Sequence, residues 1–128
     1  MLTYKQMQEA LDVIADGVPP EIYAKLNGGI VLSPETKVHP QSVGDELVIN
    51  GEYHHEPNGL GRYIVLYYGS MSRSYGRLPD TAQIKKLKEV LYHELTHHLE
   101  NLAGDKSLEL TDAKNLEKYR QKHLQSDD

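Results

Sequence analysis

From Thr81 to about Ala103 the chain runs without a glycine or proline, and Ile84, Leu87, Leu91, Leu95, Leu99 and Leu102 recur at the spacing of one helix face. Asp80 stands where an N-cap is expected, and Gly104 stands where a left-handed C-terminal residue is favoured. The stretch predicts a long amphipathic helix whose apolar stripe the rest of the chain must cover. His93, Glu94, His97, Glu100 and Asn101 fall on the opposite side. Core and polar cluster therefore use opposite faces of one helix.

Thr3 with Gln6 matches a capping box, and Met7, Leu11 and Ile14 continue it as a first helix until Gly17 and Pro19-Pro20. A short second helix is expected from Glu21 to Leu26, ended by left-handed geometry in Asn27-Gly28-Gly29. Ile30-Leu32, Glu46-Ile49 and Arg62-Tyr68 read as short strands of one small twisted sheet, with Ser33-Asp45 a loop and Ser70-Leu78 irregular. A last helix is expected over Leu108-Leu124 on a sparse apolar stripe. The fold class is α+β, with residues 1-128 as one domain.

The 128 residues carry a formal charge of −5 and no cysteine, which removes disulfide scaffolds, thiolate metal sites and a cysteine nucleophile together. Any metal must be held by His, Asp or Glu. No apolar run approaches the ~20 residues that span a bilayer, and the N-terminus lacks an export pattern, so the expected location is the cytoplasm with no membrane partner. The acidic balance gives no general reason to bind nucleic acid; Lys85, Lys86 and Lys88 are the one basic concentration and read as a solvated helix face.

His93-Glu94-Leu95-Thr96-His97 matches the H-E-x-x-H pattern. Residues four apart lie one turn apart on the same helix face, so the two imidazoles converge on one tetrahedral zinc ion and Glu94 is aimed at its water as general base. His98 falls on the core side and reads as a hydrogen-bonded buried histidine. His54 and His55, adjacent after a strand, read as solvated loop residues.

A catalytic zinc needs a third protein ligand. Glu100 lies on the metal face but about 10 Å along the axis from His93, which suits a supporting role. If Gly104 reverses the chain, an antiparallel helix returns level with the two histidines eight or nine residues later, which selects Asp112. Glu109 is the choice for a tighter turn, and Asp105 would serve only if the long helix broke just after His97.

The chain resembles the small bacterial zincin-like proteins, a family of predicted minimal metallopeptidases. The resemblance runs through Val18-Pro19-Pro20-Glu21, the Leu60-Ser70 segment, HELTHHLENLAG from His93 to Gly104, and Asp112 through Arg120. It implies a pared-down zincin fold, a zinc ion on His93 and His97, and hydrolysis of peptide bonds. Other members carry glycine three residues after the second motif histidine, where this chain has Glu100.

The leading expectation is a zinc-dependent metallopeptidase in which His93, His97 and Asp112 hold one zinc and Glu94 deprotonates its water. A peptide or protein substrate would pair along an edge strand from Tyr63 to Tyr67. Tyr67, Tyr68 and Tyr75 are oxyanion candidates whose commoner role is packing. The alternative is a non-catalytic zincin-fold binding module with structural or absent zinc; a nucleic-acid adaptor ranks third.

Overall fold

Thr3 starts helix α1, Tyr4–Asp16, through the expected capping box: its hydroxyl accepts from Gln6 N at 3.1 Å while Gln6 Oε1 accepts from Thr3 N at 2.9 Å. Two of the helix's orphan donors are satisfied this way, and the Met7 and Leu11 side chains are directed into the core. The computed structural model describes residues 1–104. The expected helix over 108–124, and with it Asp105, Glu109 and Asp112, lies outside the described residues.

After α1 the chain makes a 3-10 turn, Pro20–Tyr23, shorter than the α-helix expected over 21–26. Left-handed backbone at Lys25 (φ 62°) and Gly29 (φ 71°) turns it into strand β1, Gly29–Ser33, and Ile22 and Leu26 are buried on the way. The main sheet has the order β1-β5-β4, with β4 spanning Gly51–Glu56 and β5 Gly61–Tyr67. β1 runs parallel to β5 in the register Ile30↔Ile64, and β4 runs antiparallel in the register Tyr53↔Ile64. The sheet is therefore mixed, and the molecule is α+β with three α-helices among the described residues.

The strand expected at 46–49 reduces to β3, Val48–Ile49, which pairs with β2, Lys37–Val38, in a separate two-stranded ladder inside what read as a loop. Its place in the main sheet is taken by β4, whose Gly-Glu-Tyr-His-His-Glu sequence has no apolar alternation and becomes a strand through its pairing with β5. β5 is consequently the central strand, so the Tyr63–Tyr67 segment is no edge; the exposed edge next to the long helix belongs to β4.

The segment read as irregular forms helix α2, Tyr68–Tyr75. Its glycine and serines have little intrinsic preference for helix, and packing decides instead: Ser70 and Met71 are buried, and Ser70 Oγ accepts from Lys37 N at 2.9 Å. A Cβ on Gly69 would stand 2.2 Å from Thr36 Oγ1 and 2.8 Å from Glu35 O, so the approach of this helix to the β2 segment needs glycine.

Helix α3, Asp80–Ala103, lies against β4, β5 and α1. Pro79 takes the N-cap position without a side-chain cap, and Asp80 is the first helical residue rather than the cap. Gly104 ends the helix in right-handed geometry (φ −85°), not the left-handed form expected. Leu87, Leu91, Leu95, Leu99 and Leu102 are buried as the stripe requires, each worth about 1.5–3 kcal/mol on leaving water, while Ile84 stays 37% exposed. Buried Gln83 accepts from Leu2 N at 2.9 Å and ties the N-terminus to the start of α3. No helix among the described residues is long and apolar enough to cross a membrane.

Candidate functional site

The face of α3 that carries the H-E-x-x-H residues meets the edge strand β4 at Gly51. A Cβ there would lie 3.0 Å from Val90 Cγ1 and 3.3 Å from Glu94 Cγ, and 2.9 Å from Leu66 Cδ2. The missing side chain lets strand and helix close over Glu94, which is only 5% exposed. That burial pushes the Glu94 carboxyl above the ordinary carboxylate range, and the neighbouring His93 and His97 pull it back in part. A carboxylate in such a setting is a stronger proton acceptor than one in water.

His93 and His97 stand exposed on either side of the next turn, with ring planes at 89° and Nε2 atoms 3.2 Å apart. Two nitrogens bound at 2.0–2.1 Å to one tetrahedral zinc would be about 3.3 Å apart, so the pair fits a shared ion. The carboxylate of Glu100 lies 3.6 Å from Nδ1 of His97, the nitrogen turned away from His93. It fits a support for the ring rather than a ligand. Among the described residues no group of three His, Asp or Glu converges on one point. The Asp112 assignment and its rivals Glu109 and Asp105 lie outside the described residues.

Two cavities open beside this pair and share Gly51, His93 and Glu94. The larger, about 640 Å³, continues along Glu52, Tyr53, His97, Glu100 and Asn101. The smaller, about 340 Å³, ends against Asn50, Tyr75, Glu89 and Val90. Together they form one cleft between β4 and α3, with the histidine pair at its middle. The β4 residues escaped the sequence reading; the signal that could have found them is Gly51, a small residue between an expected strand and a polar run.

The remaining histidines divide as their positions demand. His98 is fully buried: Nε2–H donates to Ala24 O at 2.9 Å, which leaves Nδ1 to accept from the Tyr53 hydroxyl at 2.9 Å. Burial above all pushes its pKa down to about 4, with the Ala24 carbonyl opposing and Arg62 assisting. His54 and His55 lie in β4 and not in a loop; His54 stacks on Tyr63 at 4.9 Å and His55 is exposed. Glu52 gathers Lys37 Nζ at 2.6 Å and the Tyr67 hydroxyl at 2.5 Å on one oxygen. These bonds, with His54, outweigh desolvation and hold its carboxyl below the usual range. The proton of Tyr67 is thereby engaged, and that of Tyr68 goes to Leu2 O.

No protein-family model matches the chain, and no curated protein matches it. The chain is similar to the solved structure of a conserved hypothetical protein from Thermo thermophilus, with 34% sequence identity and a TM-score of 0.69. The match covers 80% of this chain and 98% of that one. At that identity over nearly the whole of its relative, the chain belongs to the same family as this conserved hypothetical protein.

Proposed function

We propose that the protein is a zinc-dependent peptidase of zincin-like fold, with His93 and His97 as metal ligands, Asp112 as the third and Glu94 as general base. The observation that carries this reading is the 3.2 Å spacing of the two Nε2 atoms beside a buried Glu94 in an open cleft. Zinc, when bound, supplies Lewis acidity toward a scissile carbonyl and toward water. Glu94 accepts the proton of the attacking water at its carboxylate and returns it to the leaving amine. Glu100 orients His97 through Nδ1.

The substrate lies along β4. Asn50 O accepts from Tyr67 N at 2.8 Å, and alternate residues of an antiparallel pair face the same way. Glu52, His54 and Glu56 therefore direct their backbone groups to β5, while Gly51, Tyr53 and His55 direct theirs outward, open to an extended peptide beside the histidines.

The test is the metal content of protein purified without a histidine tag, measured by elemental mass spectrometry together with cleavage of denatured casein. Near-stoichiometric zinc is expected in the wild type and in Glu94→Gln, with cleavage lost only in the latter; His97→Ala should lose both. A Glu94→Gln variant that cleaves as well as wild type would remove the base. The other reading is a non-catalytic binding module with structural or absent zinc. Protein that retains no metal after dialysis against zinc would support it.

A further inference from the structure

We infer that Tyr75 is a further catalytic residue, whose hydroxyl donates a hydrogen bond to the carbonyl oxygen of the substrate as that oxygen becomes negative. The inference rests on the peptidase reading above and concerns the smaller end of the cleft.

Tyr53 and Tyr75, which line the cleft, and Tyr67 and Tyr68, the other oxyanion candidates, differ in what their protons do. Tyr53 donates to Nδ1 of His98, Tyr67 to Glu52 and Tyr68 to Leu2 O. Tyr75 is the reverse case: its oxygen accepts from Asn50 Nδ2 at 3.2 Å. The other end of the same amide, Oδ1, accepts from Ser74 Oγ at 3.1 Å. Among the described residues no acceptor takes the Tyr75 proton. That proton is available at the wall of the 340 Å³ cavity, which Tyr75 shares with His93 and Glu94.

Two further features suit the role. Lys86 Nζ lies 5.7 Å from the centre of the Tyr75 ring, and a nearby cation makes a phenol a better hydrogen-bond donor. Tyr75 is also the last residue of α2 and Asn50 immediately precedes β4, so both partners are fixed by elements that build the cleft. A donor held in place before the reaction needs no reorganisation when charge develops.

In the step itself the water oxygen forms a bond to the carbonyl carbon, its proton passes to Glu94, and the carbonyl electron pair moves onto the oxygen facing Tyr75. Collapse breaks the carbon–nitrogen bond, and the Glu94 proton leaves on the amine, giving one carboxylic acid and one amine. Tyr75 keeps its proton throughout and acts only as donor.

The test combines Tyr75→Phe with Asn50→Asp. The first removes the hydroxyl; the second leaves the phenol in place but replaces the amide donor with a carboxylate that captures its proton. With fluorescein-labelled denatured casein, each variant is expected to lower kcat by about 10²–10³-fold with KM nearly unchanged. Zinc content and melting temperature should stay at wild-type values. The second readout needs no turnover: calorimetric titration of zinc-loaded protein with the phosphinate isostere of acetyl-Ala-Ala-amide, whose tetrahedral phosphorus resembles the addition species. Its affinity should fall about tenfold or more in both variants. Equal phosphinate affinity in wild type and Tyr75→Phe, or no binding to the wild type, overturns the assignment. Casein cleavage that depends on Glu94 but not on Tyr75 also overturns it, while leaving the peptidase reading intact. Absence of casein cleavage by the wild type counts against the peptidase reading, and the phosphinate titration still decides Tyr75.

Discussion

His98 offers a quantitative link between burial and acid stability. Its ring is fully buried, with both nitrogens engaged in the neutral form, and its pKa falls from 6.5 to about 4. Between those values the unfolded chain holds a proton at this residue that the folded chain refuses, so stability is full above pH 6.5 and is lost as pH falls toward 4. Linkage at 1.36 kcal/mol per pKa unit makes the loss about 2 kcal/mol between pH 7 and pH 5. His98→Gln isolates the effect, because the amide can still donate to Ala24 O but does not titrate. At pH 7 the variant should be less stable by about 1–2 kcal/mol through the weakened bond to Tyr53. Urea unfolding of both proteins in EDTA, followed by circular dichroism at pH 7, 6 and 5, gives the difference at each pH, and carboxylates common to both cancel. The wild-type advantage should shrink by about 2 kcal/mol across the series. A difference that stays constant would refute the argument that His98 is kept neutral by burial.

Gly51→Ala forces a Cβ to within 3.0 Å of Val90 and 3.3 Å of Glu94, which should cost about 1–3 kcal/mol in urea unfolding and, by displacing Glu94, suppress casein cleavage more than zinc content. Cleavage equal to wild type would show that the strand and helix can part without disturbing the base. Leu91→Ala, at a fully buried position, should cost about 2–5 kcal/mol without changing the metal content per folded molecule. Thr3→Ala removes the capping box of α1 and should cost about 0.5–2 kcal/mol, read as a lower melting temperature; an unchanged melting temperature would mean that packing on α3 alone holds the helix.

The parts legible in the sequence were those with local causes. A capping box needs only Thr3 and Gln6, and both of its hydrogen bonds form. The separation of the apolar stripe from His93, Glu94 and His97 follows from 3.6 residues per turn, as does the meeting of two imidazoles four residues apart. The burial of His98 beside exposed His97 follows from the same rotation of about 100° per residue.

Tertiary structure decided what depended on distant partners. Gly51–Glu56 carries no strand pattern of its own, and its ladder with β5 makes it one; that pairing moves the open edge from Tyr63–Tyr67 to the strand beside Glu94. Tyr68–Tyr75 becomes a helix because Ser70 and Met71 find buried contacts, and only then does Tyr75 reach Asn50 and the cleft. Local geometry in one helix could specify the histidine pair, since its spacing is written in adjacent turns. The wall that faces the pair is assembled from segments far apart in the chain, whose pairing free energies no single segment carries.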